Sequence, residues 1–198
     1  MILCASTPSP PAVVAAAAAG LDKIGENYAQ ELATKASAAS AAGLAVHFIG
    51  RLQSNKVRQL AGVVDVWETV DRPRLVAELA RRAPGTTILV QVDSSDEAAA
   101  GKGGCSPAEV GDLVAAALDA GLVVDGLMTV GPTTGGPDAA RAGFRRTRRL
   151  ADELGLRTCS MGMSGDLEVA VEEGSTRVRV GTALFGPRGQ ASADALTS

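Results

Sequence analysis

Residues 160–182 read SMGMSGDLEVAVEEGSTRVRVGT, two glycine-bearing polar turns on either side of one short amphipathic segment. The chemistry such turns can do is anion binding. Ser164-Gly165-Asp166 opens the segment 166–173, predicted as a helix, where unpaired backbone N–H groups and the positive dipole end favour negative charge. Gly181-Thr182 adds a second donor set, glycine allowing close backbone approach and threonine a hydroxyl. For each turn alone a plainer reading stays open, with Ser164 an N-cap and Gly181 a chain reversal. Strand alternation over 177–181 places Arg177, Arg179 and Gly181 on one face and Val178 and Val180 on the other. A guanidinium directed into an interior must meet an acceptor or an anion, because burying it unpaired is very costly.

Other chemistries are short of residues. His47 is the only histidine, so hydrolytic triads and multi-histidine metal sites lack their parts, and no metal is expected. Cys4, Cys105 and Cys159 are odd in number and without metal-ligand spacing, which speaks against a disulfide framework and fits a reducing, cytoplasmic setting. A net charge of −3 supplies no field for nucleic acid or an anionic membrane. The basic run Arg141–Arg149 is the exception; with Phe144 and Leu150 toward a core it reads as a solvated helix face rather than a binding patch. The apolar stretch Ala12–Gly20 is too short to span a membrane and follows two prolines.

These groups need elements to position them. Strand-like runs fall at 2–6, 21–27, 45–51, 64–70, 86–93, 124–131, 157–163 and 177–184, about eight, with helical stretches between them. Ser9-Pro10-Pro11 opens an alanine-rich helix closed by Gly20, and Ser106-Pro107-Ala108-Glu109 is a capping box whose helix ends at Gly121. At 198 residues and 46% hydrophobic content, with no linker, the chain is expected to be one domain, a (β/α)8 barrel, with 189–198 a disordered tail. A doubly wound open sheet is the alternative, weakened because no GxGxxG follows the first strand. In a barrel the loops after strands seven and eight are a common phosphate site, and the two polar turns occupy those loops.

Four stretches carry a resemblance: IGENYAQE (24–31), HFIGRLQSNK (47–56), GLMTVGP (126–132) and the run from Ser160 to Gly186. In this order, over about residues 2 to 188, they resemble the pyridoxal phosphate homeostasis proteins, whose fold is similar to the N-terminal barrel of alanine racemase. The resemblance implies that Ser164, Gly181 and Thr182 hold the phosphate of pyridoxal 5′-phosphate (PLP), that Arg179 faces its pyridine nitrogen, and that Asn27 lies beside the cofactor. An arginine there does not keep the ring nitrogen protonated, so the ring is a weak electron sink. By residue type alone Asn27 reads equally as a turn residue tolerating an unusual φ.

The chain also departs from the family. The lysine that captures PLP at the end of the first strand corresponds to Ser6, and a second family lysine to Pro8; a serine cannot form an imine. Lys23 shares a face with Gly25 and Asn27 but sits too far down its strand to substitute, and Lys56 is no better placed. The extra N-terminal helix of the family is not expected ahead of the first strand, and its absence leaves apolar surface for a protein partner. The leading expectation is a non-enzymatic, homeostasis-type binder of a B6 vitamer, holding PLP non-covalently or degenerate in binding, as a monomer or weak homodimer. A racemase-like or lyase-like PLP enzyme working without the lysine, and a cofactor-free structural or regulatory barrel, are the alternatives.

Overall fold

The structure is a computed structural model that describes residues 1–4, 10–94, 103–132 and 134–185. Eight parallel strands follow one another: β1 (Ile2–Cys4), β2 (Lys23–Glu26), β3 (Ala45–Phe48), β4 (Val66–Val70), β5 (Thr87–Gln91), β6 (Val123–Met128), β7 (Thr158–Ser160) and β8 (Arg179–Val180). Each predicted strand is present, and β2 to β8 are each shorter than their runs. Each pairs with its chain neighbour up to β7, while β8 returns to lie beside β1, with Ile2 opposite Arg179 and Leu3 opposite Val180. A Ser160–Arg177 bridge and the bond from Arg179 N–H to Gly162 O (3.0 Å) join β7 to β8, so the sheet is a nearly closed barrel and not the open doubly wound alternative.

Helices α1 (Pro10–Ala18), α2 (Ala29–Ala41), α3 (Ser54–Leu60), α4 (Pro73–Arg82), α5 (Val110–Asp119), α6 (Arg141–Glu153), α7 (Leu167–Glu172) and α8 (Thr182–Phe185) follow the strands in turn. The punctuation works as its chemistry requires. Pro10 and Pro11 begin α1, and the Ser106 N–H and hydroxyl both bond Glu109 Oε2 (3.0 and 2.6 Å) before α5. The last predicted strand is cut short because the chain turns after Gly181: Leu184 N–H bonds Gly181 O (2.9 Å), and residues 182–185 become a helical turn.

Alternation divides the strand residues between two environments. Leu3, Ile24, Val46, Trp67, Ile88 and Leu127 join helix residues such as Val13, Leu32, Leu75 and Phe144 in one apolar core between barrel and helices. The neighbouring positions His47, Glu68, Ser160 and Arg179 are as deeply buried but bond one another inside the ring. Among the described residues no helix is long and apolar enough to cross a membrane.

Candidate functional site

The floor of the site is built on Arg179. It is 3% exposed, and three hydrogen bonds hold its fork: Nη1 donates to the Ser160 carbonyl and hydroxyl oxygens (both 2.8 Å), and Nη2 to Thr129 O (2.8 Å). The buried guanidinium therefore meets protein acceptors at the ends of β6 and β7, the first of the two outcomes that burial allowed. Ser160 Oγ donates in turn to Glu68 Oε2 (2.6 Å), and Glu68 Oε1 lies 2.7 Å from His47 Nδ1. Burial alone would raise the Glu68 pKa. The His47 hydrogen bond and charge, the Arg179 charge and the Ser160 hydroxyl outweigh it and hold the carboxyl below its usual range. Burial loosens the Arg179 proton, and the Glu68 charge is the largest effect opposing it. Arg177 joins the network from below, reaching Glu68 Oε1 (3.4 Å) and Asp125 Oδ2 (3.3 Å), and Thr158 Oγ donates to the same Asp125 oxygen (2.8 Å).

Above Arg179 the loops after β7 and β8 are brought together. Ser164 does not cap α7; its Oγ accepts the Ala183 N–H across the two loops (3.2 Å). The helix starts one residue later than predicted, with Asp166 at its N-cap position, and the Asp166 carboxylate takes the Met163 N–H (2.6 Å). That places a negative charge at the start of α7, which disfavours an anion at that helix end. Gly181 is needed for contact: a Cβ there would lie 3.1 Å from Cys4 Cβ and 3.2 Å from Cys4 O. Thr182 is exposed as the first residue of α8.

Asn27 follows β2 at the same end of the barrel. No described non-glycine residue has a positive φ, so the reading of Asn27 as a turn residue with unusual φ is set aside. Its backbone presses on the next loop, because a Cβ on Gly50 would fall 1.9 Å from Asn27 O. Ser6 and Pro8 lie outside the described residues, as does the 189–198 tail. Lys23 pairs with Asp22 at the start of β2, and Lys56 is on α3.

The remaining chemistry-bearing residues are used structurally. Three arginines of the basic run are held in ion pairs: Arg141 reaches Glu172 (2.7 Å) and Glu173 (2.9 Å), Arg145 grips Glu173 through two bonds (2.9 and 2.8 Å), and Arg148 pairs with Asp152. Burial pushes the Cys105 and Cys159 thiols up to about 11. Among the described residues no cluster of His, Cys, Asp and Glu is suited to a metal ion. The sequence reading missed Glu68, Ser160 and Asp125 as interior partners. The available signal for Glu68 was a lone carboxylate within the apolar run Val66–Val70, where only a buried counter-charge makes it tolerable.

With this geometry in hand, comparison with known proteins decides the family. The family model of the alanine racemase N-terminal domain matches residues 10–189. A pyridoxal phosphate homeostasis protein of Pseudomonas aeruginosa is 41% identical over 195 residues, covering 94% of this chain and 84% of the relative. One from Aquifex aeolicus is 43% identical over 180 residues, covering 85% and 78%. The chain belongs to the pyridoxal phosphate homeostasis protein family. PipY of Synechococcus elongatus, solved with PLP bound and without it, superposes with TM-scores of 0.81 and 0.83 at 30% identity, covering 94% of this chain and 92% of that one. A lysine decarboxylase of Selenomonas ruminantium, 20% identical with a TM-score of 0.69, shares the barrel fold alone.

Proposed function

We propose that this chain is a non-enzymatic, homeostasis-type binder of pyridoxal 5′-phosphate, which it holds without a covalent bond at the C-terminal mouth of its barrel. The observation that carries the reading is the Ser164–Ala183 bond, which brings the β7 and β8 loops into one polar cradle above Arg179. In this reading Ser164, Gly181 and Thr182 hold the phosphate. Arg179, always charged and donor-only, faces the pyridine nitrogen, and Asn27 lies alongside the ring. Bound PLP supplies an aldehyde carbon open to amines; Ser6, where the family has its lysine, offers no amine to it. Family membership and the PLP-bound PipY structure support the cofactor assignment.

The non-catalytic part of the proposal rests on the acid–base groups. His47, Glu68 and Ser160 are buried and bonded to one another, which suits holding a charge and not exchanging protons with a substrate. The working partner is a small B6 vitamer in a reducing cytoplasm, with the protein a monomer or weak homodimer.

Titration with PLP and with pyridoxine 5′-phosphate, which has the phosphate but no aldehyde, tests this directly. Comparable affinities are expected, with a free-aldehyde spectrum for PLP and no borohydride-fixed adduct on residues 1–10, and Ser6→Lys should add covalent capture. Binding of neither vitamer, or borohydride fixation of PLP to the wild-type chain, overturns the reading. So does PLP-dependent turnover of a free amino acid that disappears in Arg179→Ala.

A further inference from the structure

Barrel interiors of this class are ordinarily filled by layers of branched apolar side chains. Here one layer is charged, and its hydrogen bonds have a fixed direction. An ionised carboxylate can only accept, so Glu68 takes a proton-bearing His47 Nδ1 on Oε1 (2.7 Å) and the Ser160 hydroxyl on Oε2 (2.6 Å). A serine hydroxyl has one hydrogen. Once it is given to Glu68, what Ser160 Oγ turns toward Arg179 Nη1 (2.8 Å) is a lone pair. The Ser160 carbonyl takes the same nitrogen, and Thr129 O takes Nη2, so the guanidinium is pinned flat against the β6–β7 wall. Arg177 and Asp125 close the charge balance beneath it.

We propose that Ser160 and Glu68 are positioning residues for the ring of the bound vitamer: Glu68 sets the polarity of the Ser160 hydroxyl, and that hydroxyl fixes Arg179 where it recognises the pyridine nitrogen. The inference rests on the PLP reading above and extends it from the phosphate end to the ring end of the same ligand. Ser160 and Glu68 touch neither end themselves. Their loss should be felt by a ligand that has a ring and not by one that is only an anion.

The test compares inorganic phosphate with pyridoxine 5′-phosphate on the wild type, Ser160→Ala, Ser160→Thr and Glu68→Gln, by calorimetry and ring absorbance, with near-UV circular dichroism to confirm the fold. In Ser160→Ala and Glu68→Gln, phosphate affinity should stay within about twofold. Pyridoxine 5′-phosphate should weaken by about tenfold, the scale of one charge-assisted hydrogen bond, and its absorbance should move toward that of the free vitamer. Ser160→Thr, which keeps the hydroxyl, should restore both. Should Ser160→Ala fail to fold, Glu68→Gln, of nearly the same shape, carries the comparison. Equal weakening of both ligands, or no change in either, overturns the positioning role. A wild type that binds neither ligand overturns the PLP reading itself, and one that binds phosphate as tightly as pyridoxine 5′-phosphate overturns this inference alone.

Discussion

Arg179 and Gly181 sit two residues apart and do opposite things, one filling the barrel interior and the other leaving room at its rim. Replacing Arg179 by Met removes the cation that Glu68 faces through Ser160, and an uncompensated buried charge costs about 3–5 kcal/mol. His47 and Arg177 remain on Glu68 and should hold the loss toward the lower figure, readable from urea unfolding midpoints. Gly181→Ala should be milder for stability, about 1–3 kcal/mol, because its Cβ meets Cys4 across β1 and the strand must give by tenths of an ångström. Its larger effect is expected on vitamer binding, by narrowing the cradle, and a fluorescence titration separates the two. The thiols should divide as well. Cys105 and Cys159, raised by burial to about 11, should resist a thiol reagent at neutral pH until the protein unfolds, while the partly exposed Cys4 is labelled first.

Between elements, the contact that matters most to the mouth is that of α2 on β2. Lys35, buried in α2, reaches Glu26 Oε1 at 2.6 Å from the outer face of β2, one residue before Asn27. Glu26 is fully buried, and among the described residues its second carboxyl oxygen has no hydrogen-bond partner. Burial pushes its pKa up to about 7, against the pull of Lys35. A folded-state value above the unfolded 4.5 means that the native chain keeps a proton which the unfolded chain releases. Stability from this group is therefore complete near and below pH 4.5 and falls as pH rises toward about 7, at no more than about 1.4 kcal/mol per pH unit. Urea unfolding from about pH 5 to about pH 7 should show that decline, and Glu26→Gln should flatten it. Lys35→Met removes the cation that pulls against burial, so Glu26 should keep its proton to higher pH and the decline should continue past about pH 7, while adding Glu26→Leu should abolish it.

For the molecule as a whole the weak line is the seam between β7 and β8. Seven ladders join the eight strands from β7 through β1 to β8, whereas the ring closes between β7 and the two-residue β8 through one bridge and a few backbone bonds. The Arg179 fork crosses that seam to Ser160 and Thr129, so side-chain bonds replace part of the missing ladder. Local opening concentrates where backbone bonding is sparse. Hydrogen exchange should therefore be faster at the Met161 and Arg179 amides than at Val90 and Leu127 in the β5–β6 centre. Added PLP, gripping the loops on both sides of the seam, should slow it there more than elsewhere.

The order and number of strands, the helix starts at Pro10 and Ser106, the inward face of Arg177 and Arg179 and the family itself were all legible in the chain. Each depends on local periodicity, on capping chemistry or on motifs that survive as contiguous runs. What the sequence could not specify was which distant groups meet. Ser160 and Glu68 are 92 positions apart, Arg179 and Thr129 fifty, and no local pattern announces that closing the ring sets them side by side. Alternation showed that an arginine faces inward, yet only the closed barrel decided which protein oxygens, those of Ser160 and Thr129, hold its fork in place. The same holds for Ser164. As a residue before a helix it suggested a cap, but the return of β8 beside β1 brought the Ala183 amide within reach of its hydroxyl and gave it a loop-to-loop bond instead.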